Sequence, residues 1–227
     1  MDLDILYEDG ALLVVYKPAQ VAVETKKIGQ QDMVSLLRNR RAVKGEEPYI
    51  GLVHRLDQPV EGVMVFGKTK EATADLSGQV RERIFGKNYY AIGRFDGTAP
   101  LKEQGRLEDA ILFDRKNNVS RIVEKNTKGS QQAVLDYSII GQEAEETCFD
   151  ITLHTGRHHQ IRVQLSHAGY PLIGDRKYGC GTQNESSSLA LCSYRLQFFH
   201  PLTKKRMDFT IHPHNPLFCR FFPVKPE

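Results

Sequence analysis

The chain has 227 residues, 40% of them hydrophobic and 26% charged, and a formal net charge of +3. This is enough for one large domain or two small ones sharing a sheet, and the composition is globular, not disordered. No apolar run approaches the ~20 residues of a membrane span, and MDLDILYEDG lacks the basic-then-apolar order of a signal peptide; a cytoplasmic protein is expected.

In chain order, Leu12 to Tyr16 reads as a buried strand stopped by Lys17-Pro18, because proline cannot continue a ladder. Val63 to Phe66 is a second short apolar run. Ala72, Leu76, Val80 and Ile84 then recur at i+4 behind Thr69, which predicts a helix with Thr69 as N-cap. Tyr89 to Ile92 and Val134 to Ile140 read as strands. Phe149, Ile151 and Leu153 alternate with polar residues, the pattern of a half-buried strand. After a turn at Thr155-Gly156 a short helix is predicted, with Ile161, Leu165 and Ala168 on one face and Gly169 as its stop. Gly179 to Ser188 reads as a loop. Two strands follow, Leu189 to Tyr194 and Met207 to Ile211, joined by a turn around His200-Pro201. Strands dominate and helices are scattered, so the expected fold is α+β with a mixed, largely antiparallel sheet.

Charge is uneven. Six Lys or Arg between Lys26 and Lys44 face one acid, Asp32; Asp114 to Lys128 holds five basic residues and two acids; Glu143 to Asp150 holds four acids and no base. Such basic segments either guide a phosphate backbone or form solvated surface. The cysteines, Cys148, Cys180, Cys192 and Cys219, contain no C-x-x-C pair and are expected to be reduced thiols.

Two clusters could carry chemistry. Asp57 ends Val53-His54-Arg55-Leu56-Asp57, before a Gln58-Pro59 turn at a sheet edge, where catalytic groups are often displayed. Taken locally, Asp57 reads as a turn-former or cap before it reads as a catalyst, and His54 as a hydrogen-bonded structural residue before a general base. The second cluster runs from Thr155 to Val163 and contains Arg157, His158, His159 and Arg162. The spacing puts His158 and Arg162 on one helical face. A planar guanidinium there could hold a carboxylate bidentately and keep it ionised.

These segments, read together, resemble the RluA-type family of RNA pseudouridine synthases over nearly the whole chain. The similarity rests on LLVVYKPAQ, on HRLDQPVEGVMVFGKT, on Lys87, Tyr89 and Ala91 as Lys-x-Tyr-x-Ala, and on TGRHHQIRVQLSHAGYPLIGDRKYG, in that order. The departures are Tyr16 for the usual Asn before Lys-Pro, Val60-Glu61 for the usual Thr-Ser, and Leu135 for a Thr. They bear on substrate choice more than on activity.

The resemblance implies a single catalytic domain over residues 1–227, without a separate S4-type RNA-binding domain. It implies isomerisation of specific uridines in structured RNA, with ribosomal RNA slightly favoured over transfer RNA, by a monomer that uses no metal or other cofactor. Asp57 would be the essential carboxylate, either attacking covalently or removing a ribose proton to give a glycal; both routes need it ionised. Arg162 would pair with it. Tyr89 would stack on the target base, and Arg55 would help evict the flipped nucleotide. His54, Arg157 and Lys17 would contact substrate. Two other readings compete: an idle RNA-binding module on the same fold, and a metal hydrolase using His154, His158, His159 and His167. The second lacks an H-E-x-x-H pattern, and Arg157 and Arg162 would repel a cation.

Overall fold

The computed structural model describes residues 3–27, 29–179 and 188–222. Apart from its ends, the expected loop from Gly179 to Ser188, with Cys180, lies outside the described residues. The elements are β1 (Ile5–Glu8), β2 (Leu12–Lys17), α1 (Met33–Val43), β3 (Gly51–Leu52), β4 (Glu61–Gly67), α2 (Lys70–Arg81), β5 (Gly86–Arg94), β6 (Gln104–Asp114), β7 (Val119–Val123), β8 (Gln131–Glu143), β9 (Glu146–Leu153), α3 (Gln160–His167), β10 (Leu191–Phe199) and β11 (Arg206–Thr210). Strands outnumber helices, and β1–β2, β2–β4, β3–β4, β10–β11, β5–β9, β9–β8, β8–β6 and β6–β7 all pair antiparallel; the fold is α+β, as expected. Among the described residues no helix is long and apolar enough to cross a membrane.

The chain divides into two compact units. The first runs to Lys87 and adds Ser193–His212; the second is Asn88–Cys192 with the residues from Pro213 onward.

In the first unit β2 and β4 are buried along their whole length. They pair from Leu12 opposite Gly67 to Lys17 opposite Gly62. A strand covered on both faces has no polar face to alternate with, which is why LLVVY and VMVF are continuous apolar runs. Leu12, Val14, Val63, Val65, Leu76, Phe85, Leu196 and Phe198 form one core, with Phe85 and Phe198 stacked at 5.5 Å. Thr69 caps α2 by accepting from the Ala72 N–H, a contact worth about 1 kcal/mol. The helix stops at Arg81, one turn short of the periodicity: Arg83 takes φ 61° and Ile84 is 49% exposed.

The basic segment from Lys26 to Lys44 contains α1. Its single acid, Asp32, is the buried N-cap and accepts from the Ser35 and Thr25 N–H groups at 2.7 and 2.9 Å. Three of the six cations are engaged within the protein: Arg40 with Glu8 at 2.8 Å, Lys44 with Glu8 at 3.6 Å, and Arg41 with Glu46 at 3.1 Å.

In the second unit the strand order is β5-β9-β8-β6-β7. Phe149, Ile151 and Leu153 point inward from β9 as their alternation predicts. Leu135, at the position of the family's Thr, is fully buried opposite Leu153 and Leu107. The basic segment from Asp114 to Lys128 begins at the last residue of β6 and contains the turn into β7 and β7 itself, where charge obscures the strand pattern. Val163 of α3 packs against Ile111 and Ala133. The helix begins at Gln160, with His159 in the left-handed region as its N-cap. His158 therefore lies outside the helix and does not share a face with Arg162. Gly169 ends the element at φ +85°, as expected of a C-terminal stop.

Candidate active site

Asp57 is half-buried in the loop between β3 and β4, and its carbonyl accepts from the Val60 N–H at 3.0 Å. Three contacts pin this loop. The Lys17 ammonium donates to the carbonyls of Pro18, Val21 and Gln58 at 2.9, 2.8 and 3.2 Å. The Gln58 amide donates to the Gln20 carbonyl at 3.0 Å. His54 Nε2 accepts from the Val65 N–H at 3.2 Å, and its ring packs 5.3 Å from Phe85.

Lys17 and His54 are thus scaffold residues. Lys17 is 0% exposed and its three donors are all committed to backbone carbonyls. Burial pushes its pKa down to about 7, opposed by the charges of Asp57 and Glu61. His54 is buried, and desolvation, with a smaller push from Lys87, takes it down to about 3, so it is neutral at physiological pH. Since Nε2 accepts, the ring proton sits on Nδ1, which has no partner among the described residues. Neither side chain is presented to a phosphate backbone, which departs from the expected substrate contacts. Arg55 is exposed, and no hydrogen bond or ion pair from it to a described residue is present.

In the second unit, β5 carries Tyr89, 5% exposed and opposite Ile151. Arg162 stands in the first turn of α3, 4% exposed. Its Nε and Nη2 each reach a carboxylate oxygen of Asp175 at 2.7 Å, and the guanidinium lies 5.2 Å from the Tyr178 ring centroid. Burial alone would raise the Asp175 pKa. The Arg162 bonds and the backbone N–H groups of Lys177 and Tyr178 outweigh it and hold the carboxyl below its ordinary range. Tyr178 in turn accepts from the Ser120 N–H at 2.7 Å and meets His159 Nδ1 at 2.8 Å. Asp175 and Tyr178 belong to the segment GDRKYG, but nothing local to that segment identifies them as partners of Arg162.

Arg157 is partly exposed. Its Nε donates to the Gln132 carbonyl at 2.9 Å, and its N–H to Gln160 Oε1 at 3.0 Å. His154 is bound to Asp136 at 2.7 Å, and His158 Nδ1 lies 3.1 Å from Ser120 Oγ; the two histidines are committed to different partners. Among the described residues no group of three or more His, Cys, Asp or Glu is arranged to hold a metal ion.

The first unit thus presents a half-buried aspartate, Asp57, on a pinned loop, and the second holds a buried, clamped arginine, Arg162, and a buried tyrosine, Tyr89. Residues 11–167 match the family described as RNA pseudouridylate synthase, and the chain belongs to that family. It is 35% identical over 205 residues to the uncharacterized RNA pseudouridine synthase YhcT of Bacillus subtilis (strain 168), covering 89% of this chain and 66% of that protein. It is 32% identical over 211 residues to a ribosomal large subunit pseudouridine synthase C of Buchnera aphidicola subsp. Schizaphis graminum (strain Sg), covering 90% and 65%. A tRNA pseudouridine synthase C of Haemophilus influenzae (strain ATCC 51907 / DSM 11121 / KW20 / Rd) is 29% identical over 229 residues, covering 92% of each. The chain thus spans just under two thirds of the length of the first two relatives. The structure titled Human RNA Pseudouridylate Synthase Domain Containing 4 shares the fold, with a TM-score of 0.78 at 22% identity over 99% of this chain and 95% of that one.

Proposed function

We propose that this protein isomerises uridines in structured RNA to pseudouridine, with Asp57 as the essential carboxylate and without a cofactor. The reaction breaks the bond from ribose to the base nitrogen and remakes it to carbon 5. The observation that carries the reading is the Asp57 loop: within a chain of this family, the aspartate of the His-Arg-Leu-Asp segment is half-buried on a loop held by Lys17 and His54. A reacting carboxylate gains from such prior positioning, because the ordering cost is met before substrate arrives.

Tyr89 and Arg162 serve the same reaction, the tyrosine as stacking face and late proton acceptor, the arginine as the cation that favours an ionised aspartate. Arg55 and Arg157, both reachable from solvent, contact the RNA. The favoured substrate is ribosomal RNA, slightly ahead of transfer RNA, and the protein acts as a cytoplasmic monomer over one catalytic domain.

The test is release of tritium from RNA labelled at carbon 5 of uridine, with large-subunit ribosomal RNA and bulk transfer RNA as separate substrates. Label released from either supports the synthase. No release from both, with RNA still bound, supports the idle RNA-binding module instead.

A further inference from the structure

The β6–β7 hairpin ends in an exposed aromatic ring. Its register sets Ile111 opposite Ile122 and Phe113 opposite Ser120, so these four side chains share one face. Near α3 that face is covered: Ile111 is 3% exposed and packs with Ala133 and Val163. Two residues further on, Phe113 is 39% exposed. The His158 ring lies against it, with centroids 4.0 Å apart. Ser120 ties His158 to the same face: its Oγ is 3.1 Å from His158 Nδ1 and donates to the His158 carbonyl at 2.6 Å. His158 is backed in turn by the His159 ring at 3.7 Å. Phe113 is thus held at the surface as a supported flat ring.

The turn beyond Phe113 carries cations. Arg115 and Lys116 are exposed, and neither side chain bonds a described residue. Lys177, from the segment after α3, donates to the Asn118 carbonyl at 2.5 Å and brings a third cation to the turn. The acid of the turn is already engaged. Asp114 accepts from the N–H groups of Lys116 and Asn117 at 3.0 and 3.2 Å and from the Asn117 amide at 2.7 Å, with Arg121 3.5 Å away. The hairpin tip is therefore both positive and internally braced.

We infer that Phe113 and this turn form a docking site for a single-stranded segment of RNA. One unpaired base stacks on Phe113, and its flanking phosphates meet Arg115, Lys116 and Lys177. That the strand is RNA rests on the synthase activity proposed above. The chemistry favours a nucleotide over a protein partner. A single exposed ring falls far short of the apolar core of a protein interface, whereas a π-face beside cations suits a base and its phosphate. The support from His158 matters because a ring already held in place loses little freedom when a base stacks on it. None of Asp57, Tyr89 and Arg162 takes part in these contacts, so the site is assigned to a part of the RNA other than the reacting uridine.

The test uses the full chain and a fluorescein-labelled oligocytidylate, which offers no target uridine, with binding read by anisotropy. Phe113→Ala is expected to weaken binding about tenfold. Phe113→Leu, which keeps an apolar side chain without a π-face, should weaken it as much, and Phe113→Tyr should restore it. The double variant Arg115→Gln, Lys116→Gln should flatten the plot of log affinity against log salt by about 1.4, two phosphate contacts at ~0.7 each. The same oligonucleotide carrying 5-iodocytidine should crosslink under ultraviolet light to the peptide that contains Phe113, located by mass spectrometry. Wild-type affinity in Phe113→Leu overturns the proposal, as does a crosslink found only elsewhere. Displacement by polyglutamate as readily as by unlabelled oligocytidylate would assign the site to an acidic protein segment and overturn it too. Should Phe113→Ala fail to fold, Phe113→Leu and the crosslink decide.

A second readout is tritium release from a large-subunit ribosomal RNA transcript. In Phe113→Leu the half-saturating protein concentration should rise with the loss of affinity; a change confined to the maximal rate would overturn the docking role. A wild-type protein that binds and crosslinks the oligonucleotide but releases no label would refute the synthase reading alone.

Discussion

The guanidinium of Arg162 is held by Asp175, thirteen residues further along the chain, through two 2.7 Å bonds between side chains that are 5% and 0% exposed. Removing one partner of a buried ion pair leaves the other charge uncompensated, at a typical cost of 3–5 kcal/mol. Asp175→Asn is therefore expected to destabilise the protein by about 3 kcal/mol in urea unfolding at pH 7. The Asp175 pKa is lowered in the fold. Its stabilisation is complete above the unfolded value near 3.8 and is lost as pH falls through the folded value. The gap between wild type and variant should therefore close in strong acid; a gap independent of pH would contradict the pairing.

Asp57→Asn should abolish pseudouridine formation while the protein stays folded and binds RNA. The side chain is half-buried in a loop, and the circular dichroism spectrum of the variant should match that of wild type. Substantial residual product, measured by tritium release, would remove Asp57 from its assigned role.

Tyr89→Phe keeps the ring and its buried place on β5 and removes only the hydroxyl. RNA affinity should match wild type, because stacking needs the π-face alone. The rate of product formation should fall about 100-fold, the scale of general acid–base assistance. A wild-type rate would mean that the hydroxyl takes no part.

His54 is held near 3 by burial and, secondarily, by Lys87. Its folded pKa lies below its unfolded value of 6.5, so the unfolded chain takes up the proton first. Stability is then fully present above pH 6.5 and declines as pH falls toward 3, by about 1.4 kcal/mol per unit. In His54→Gln this component is absent, and the decline between pH 6.5 and 4 should be shallower by that slope. Equal slopes in urea unfolding would show that His54 is not buried in its neutral form.

Much of the fold is legible in the residues. The continuous apolar runs of β2 and β4, the alternation of β9, the Thr69 cap and the Gly169 stop each arise from contacts a few residues apart. Segments whose charge hid their role were harder. In α1 the basic residues find Glu8 and Glu46 as partners, and Asp32 becomes a cap; in the β6–β7 hairpin, hydrogen bonding across strands outweighs a polar sequence. His158 was misplaced because helical spacing says nothing about where the first turn begins, and His159 occupies left-handed backbone just ahead of it.

The candidate site divides in the same way. The sequence by itself determined the chemistry of the parts: a carboxylate before a Pro-containing turn, an arginine after a Thr-Gly turn, a tyrosine in a strand, and their order along a chain of this family. Only the tertiary structure decided what each part is bound to. It turned Lys17 inward onto three carbonyls, buried His54 as a neutral acceptor, gave Arg162 its Asp175, and joined Tyr16 to Glu61 across 45 residues. The reason is physical. Backbone propensity and side-chain chemistry are local, but burial, register and the satisfaction of a donor depend on residues that only the folded chain brings within 3 Å.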